Sequence, residues 1–156
     1  MARLPKFEIQ PGDLLTRLSR TESASLADAW LNVFGKTPAP HMKDYLWHVF
    51  SYAAYPSLNL QSALDAYAEV TCSEYVVLSN DGDQALVTDQ KPTSCTLSDY
   101  CVFPKNLAWT MFFTHEDGWL GPYFAKHPEF HRLNHENLTR VRKAEQAAEA
   151  KRKGYW

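Results

Sequence analysis

Between residues 73 and 124 the chain alternates short apolar runs with turn chemistry, and this pattern narrows the possible folds most. Tyr75-Val76-Val77-Leu78 is aromatic and β-branched, which predicts a strand over 73–79. Asn80-Asp81-Gly82-Asp83 follows as a tight turn, and 84–88 reads as the returning strand. A polar loop with Pro92 leads to a third strand over 99–103, stopped by Pro104. The most apolar run, 108–114, predicts a fourth and central strand. Glu116-Asp117-Gly118 makes a second hairpin corner, and 119–124 a fifth, short strand that Gly121-Pro122 confines to an edge or makes irregular.

The segments on either side have a different period. Leu26, Trp30, Val33 and Phe34 follow helical spacing, with Ser23 or Ser25 as the cap and Gly35 past the end. A second amphipathic helix is expected over 44–54, from Tyr45, Leu46, Val49, Phe50 and Ala53. A third, capped by Ser57 or Asn59, would present Leu60, Leu64, Tyr67 and Ala68 on one face. After Pro128 a last helix carries Phe130, Leu133, Leu138 and Val141, and beyond Ala144 its apolar side holds only alanines. Residues 1–20, broken by Pro5 and Pro11-Gly12, read as an arm with one short turn near 13–18. Residues 145–156 read as a weakly anchored helical extension. The expectation is an α+β fold in one domain spanning 1–156. N-terminal helices would lie over one face of a four- to five-stranded, mainly antiparallel sheet, followed by a C-terminal helix.

Composition excludes several classes. Apolar residues make up 45% of the chain, too many for a disordered protein, yet no run approaches the length of a membrane span. The N-terminus lacks the order of a signal peptide, so a cytoplasmic location is expected, without membrane association. Three cysteines, Cys72, Cys95 and Cys101, lack metal-type spacing and are expected as reduced thiols, with Cys101 in a strand core. Charge is unevenly distributed. From residue 57 to 103 a single base, Lys91, faces seven acids, whereas 129–156 carries seven bases against four acids. The middle of the chain should repel nucleic acid and attract a basic partner.

Chemistry-bearing groups are few. His131 and His135 stand one helical turn apart with His127 a turn earlier, a spacing that a metal could use only with a further ligand from elsewhere. A solvated helix face accounts for them as well, and no metal or cofactor is expected. His48 and Ser51 share a helix without an orienting carboxylate. His115, Glu116 and Asp117 form the most enzyme-like cluster, but successive residues in a strand alternate faces. The basic tail, Lys143 through Lys153, is interleaved with Glu145 and Glu149 and reads as a solvated helix.

Three segments carry a likeness. Ala29-Trp30-x3-Phe34, Trp47-His48-Val49-Phe50-Ser51 and above all the run from Phe112 through His115-Glu116-Asp117-Gly118-Trp119 to Gly121-Pro122-Tyr123-Phe124 resemble a family of small, single-domain bacterial proteins of unknown function. The likeness covers about residues 24–126. Several such families are similar in size and layout to immunity proteins, which neutralise a cognate toxin. The resemblance therefore implies a binding role and no catalytic residues. Read with the charge pattern, it suggests a protein partner, such as a basic toxin domain. Asp81, Asp83, Glu116 and Asp117 would steer that partner, and Trp119 and Tyr123 would supply buried contact or else seal the core. The alternative is a small enzyme with His115 and Glu116, or His48, as acid–base groups. Oligomeric state is left open.

Overall fold

The computed structural model describes residues 9–10, 14–35, 56–95, 99–113 and 122–154. The helix expected over 44–54, with His48, lies outside them, as does the corner His115–Trp119. In chain order the elements are β1 (Ile9–Gln10), β2 (Leu14–Arg17), α1 (Arg20–Phe34), β3 (Leu58–Asn59), α2 (Leu60–Glu69), β4 (Tyr75–Ser79) and β5 (Ala85–Thr88). They continue with β6 (Ser94–Cys95), β7 (Tyr100–Pro104), β8 (Trp109–Phe113), β9 (Tyr123–Lys126) and α3 (Phe130–Arg152). The fold is α+β.

One antiparallel sheet has the order β2-β5-β4-β7-β8-β9-β3, and β1 pairs separately with β6. Seven strands replace the expected four or five. The extra ones are short edge pieces whose side chains carry little signal. Residues 13–18, expected as a turn, instead lay β2 along β5, with Leu14 opposite Thr88 and Arg17 opposite Leu86. β3, two residues long, closes the other edge against Tyr123 and Phe124. The strand expected over 119–124 is β9, which begins only after Pro122, where backbone N–H donors are again available. β8 is interior, one place off the centre held by β7.

The helices do not share one face. β4, β5 and β7 are buried along their whole length, so both sides of the sheet need cover. Val76, Leu78, Ala85, Val87, Cys101, Phe103, Phe112, Tyr123 and Ala125 pack with Ala27, Trp30 and Phe34 of α1. The alternate residues, among them Tyr75, Val77, Leu86, Val102, Trp109, Met111 and Phe124, pack with Ala63 and Tyr67 of α2 and Leu133 of α3. The period-2 alternation of each strand thus serves two apolar cores.

α1 starts earlier than expected. Ser19 is the N-cap, its hydroxyl accepting from Glu22 N at 3.1 Å while Glu22 Oε1 accepts from Ser19 N at 3.1 Å. This reciprocal pair satisfies two otherwise orphan donors, and it outcompetes caps at Ser23 or Ser25. Gly35 ends the helix, as expected. In α2 the inward face is shifted: Ala63 and Tyr67 are buried, whereas Leu60 and Leu64 are 39% and 41% exposed. Leu60 also begins the helix with a φ of 54°, left-handed backbone that a branched side chain rarely adopts. In α3, Leu133 is buried but Leu138 is exposed. The buried place one turn on from Leu133 goes to Asn137. Its amide donates to Asn106 Oδ1 at 3.2 Å, while Asn106 Nδ2 donates to Leu133 O at 3.0 Å. That polar link fastens the β7–β8 turn to the helix. Residues 142–149 are all exposed, and Gly154 closes the helix at a φ of 83°.

The two tryptophans at the centre differ in one respect. Trp30 packs on Phe34 and Phe112 and donates its indole N–H to Thr110 Oγ1 at 3.0 Å. Trp109 is stacked on Phe124 and edge-on to Tyr67, but its buried Nε1 has no hydrogen-bond partner among the described residues. Replacing either by Phe removes similar packing, but only Trp30→Phe also removes a made hydrogen bond. The testable prediction is that Trp30→Phe costs about 1–2 kcal/mol more than Trp109→Phe in urea denaturation. Equal costs would show that the Trp30–Thr110 bond contributes nothing.

Candidate binding surface

The β4–β5 turn is built from its own side chains. Ser79 Oγ donates to Asp81 Oδ1 at 2.6 Å and accepts from Gln84 N at 3.0 Å. Asp81 Oδ1 also accepts from Asp83 N at 3.0 Å, and Gly82 N donates to Ser79 O at 2.9 Å. Gly82 holds a φ of 76°, and a Cβ there would stand 3.0 Å from the Ala27 side chain. The turn is therefore seated on α1 and held in one conformation. Asn80 N donates to Asp99 O at 3.2 Å, which brings the start of β7 alongside.

This arrangement places Asp81, Asp83 and Asp99 at one end of the sheet. Asp81 is exposed and organises the turn as well as carrying charge. Asp83 is half-buried and meets Arg20 at 3.3 Å, an exposed pair of small energetic worth. Because Tyr100 lies opposite both Ser79 and Phe113, β8 leaves the sheet at this same end. Glu116, Asp117 and Trp119 lie outside the described residues. Tyr123 is only 4% exposed and packs in the α1-side core, so its side chain offers no contact surface. Of the two roles considered for it, sealing the core is the one its burial fits.

The remaining titratable groups are mostly structural. His127 Nδ1 accepts from Glu129 N at 2.9 Å at the start of α3. His131 and His135 are exposed on that helix, and no group of three or more potential metal ligands occurs among the described residues. Cys101 is fully buried in the strand core, as expected, with its thiol pushed well above the ordinary range by burial. Lys91, the lone base of the acidic segment, finishes α2. Its Nζ donates to Tyr67 O at 2.7 Å and lies 5.1 Å from the Tyr67 ring centre, while the Tyr67 hydroxyl donates to Pro92 O at 2.6 Å. A cation at a helix C-terminus meets orphan carbonyls and the negative end of the dipole. In the sequence Lys91 stands out only as an exception in charge. Its place three residues after a strand end gave no hint of the helix that it caps.

Two of the clefts beside the sheet are lined by both helix and strand residues. One, of about 600 Å³, lies between β2, the first half of α1 and the sheet. The other, of about 520 Å³, lies between α3 and the segments holding Cys72, Tyr75 and Lys91. Neither had a sequence signature, because each is lined by residues from at least three separate segments.

A family model described as a domain of unknown function, DUF4275, matches residues 32–124. The chain belongs to this family. The DUF4275 match runs from the last turn of α1 into β9, so it takes in the acidic sheet end and leaves out β2, Trp30 and α3. It agrees with the likeness of residues 24–126 to a small family of unknown function. No curated protein and no solved structure matches the chain.

Two predictions follow from this geometry. Gly82→Ala places a side chain in left-handed backbone against Ala27 and is expected to cost about 1–2 kcal/mol, with Gly82→Asn costing less because Asn tolerates that conformation. Chemical denaturation of both variants checks this, and a neutral Gly82→Ala would mean that the turn adopts another conformation. The second concerns pH. Burial pushes the Cys72 thiol up to about 12 from 9.0, opposed in part by Lys91 and by hydrogen bonding with Tyr75 and the Glu74 backbone. A group whose folded pKa is raised stabilises the fold fully below its unfolded pKa, and that stability is lost as pH rises from about 9 toward 12. Lys91, held below 10.5 mainly by burial, acts in the opposite sense. Urea denaturation from pH 8 to 10.5 should show Cys72→Ala losing less stability than the parent, by about 1.4 kcal/mol per pH unit at most. Identical slopes would place Cys72 in contact with water.

Proposed function

We propose that this protein is a binding protein of the immunity type, which neutralises a basic toxin domain by docking it at the acidic end of the sheet. The observation that carries the reading is the gathering of Asp81, Asp83 and Asp99 at the sheet end where β8 finishes, three residues before Glu116 in the sequence. A rigid, hydrogen-bonded turn presents these charges at little entropic cost on binding. Carboxylates so placed would accelerate encounter with a basic surface and set its orientation. Trp119 is assigned the role of buried contact, and Tyr123 is not, being part of the core.

Co-expression with the product of the gene immediately upstream, scored for a stable complex and for rescue of growth, tests the proposal. A complex with rescue is the expected outcome, and neither binding nor rescue would overturn it. The double variant Asp83→Asn/Asp99→Asn leaves the Asp81 turn intact. It should slow association about three-fold at low salt, with the difference shrinking as salt rises. An unchanged association rate would remove the acidic end from the interface.

A further inference from the structure

The cleft under α1 exists because the helix meets the sheet with only part of its length. Its large buried residues, Trp30 and Phe34, are in the C-terminal half, and Ala27 sits close against Gly82. In the first two turns Ser23 is the only buried residue, its hydroxyl turned back to Ser19 O at 2.9 Å. With Leu26 the only large apolar side chain there, and that one only partly buried, this half of α1 leaves a cleft of about 600 Å³ against the sheet, within the range of small-molecule sites. Val76 and Val87 form the floor, and Leu18 and Leu26 form walls that are partly buried and partly open.

The charges at the mouth decide what kind of molecule fits. Lys105 and Glu74 neutralise one another at 2.8 Å. Glu22 then remains as a carboxylate whose partners are the neutral Ser19 N–H and hydroxyl, and these hydrogen bonds hold its pKa below the ordinary range. Among the described lining residues the chamber thus carries one net negative charge at its rim, which complements an apolar body bearing a positive head. We infer that the cleft between α1, β2 and the sheet is a binding site for a small organic cation with an aliphatic or aromatic body. This site is separate from the acidic sheet end and stands or falls independently of the proposed toxin partner.

Octylammonium, octanoate and octan-1-ol share one tail and differ in head charge, and the full chain can be titrated with each while methyl NMR signals are followed. Octylammonium should shift the methyls of Leu18, Leu26, Val76 and Val87 saturably, and bind about two- to five-fold more tightly than octanoate, the range expected for one exposed ion pair. Glu22→Gln keeps a side chain able to close the capping box and should erase that preference. Leu26→Trp should fill the chamber and abolish binding of all three. Octanoate binding as tightly as octylammonium, or no saturable shift with any of them, would overturn the inference. So would unchanged binding in a Leu26→Trp variant with parental circular dichroism. Should Leu26→Trp fail to fold, Glu22→Gln decides: a preference for the cation that survives this change also overturns it.

Discussion

β8 holds the structure together through the opposite directions of two neighbouring residues. Thr110 points to one side of the sheet and receives the Trp30 indole of α1. Trp109 points to the other side, where Tyr67 of α2 and Phe124 of β9 close around it. Each large side chain removed from water contributes about 1.5–3 kcal/mol, so losing either layer would leave a row of uncovered aromatic and branched residues. Both layers are therefore required together. The same strand carries the chain to the acidic end of the sheet, so the packing that stabilises the fold also fixes where the proposed surface lies.

Polar groups in this frame are used as fasteners. Asn106 joins the β7–β8 turn to α3 through Leu133 O and Asn137. Lys91 and Pro92 tie the loop after β5 to the end of α2. Ser79 and Asp81 wire the β4–β5 turn internally. Each fastener links segments distant in sequence or stiffens a loop, which suits a protein that must present a fixed surface.

The interior strands and the first tight turn were legible in the sequence, because β-branched and aromatic runs bounded by Asn-Asp-Gly or Pro are strong local signals. α1 was legible too, although its true cap, the Ser19–Glu22 box, was passed over for serines nearer the apolar row. The edge strands β2 and β3 were not legible. A strand of two to four residues is selected by the hydrogen bonds that a neighbour offers, and its own side chains barely register. The face of α2 was misjudged for a related reason. Leu60 and Leu64 look like core residues in isolation, yet Tyr67 reaches the Trp109 cluster and rotates the helix to bury Ala63 instead.

The candidate site divides in the same way. The acidic middle of the chain, the tight turn holding Asp81 and Asp83, and the place of Cys101 in a strand core can all be read from the residues alone. These follow from composition and local chemistry, which neighbours in sequence fix. That Asp99 joins that turn, that Tyr123 is interior, that helices cover both faces, and that α1 leaves a chamber beneath its first half emerge only once the elements pack. These depend on strand register and on how closely one element can approach another, and both are set by long-range packing.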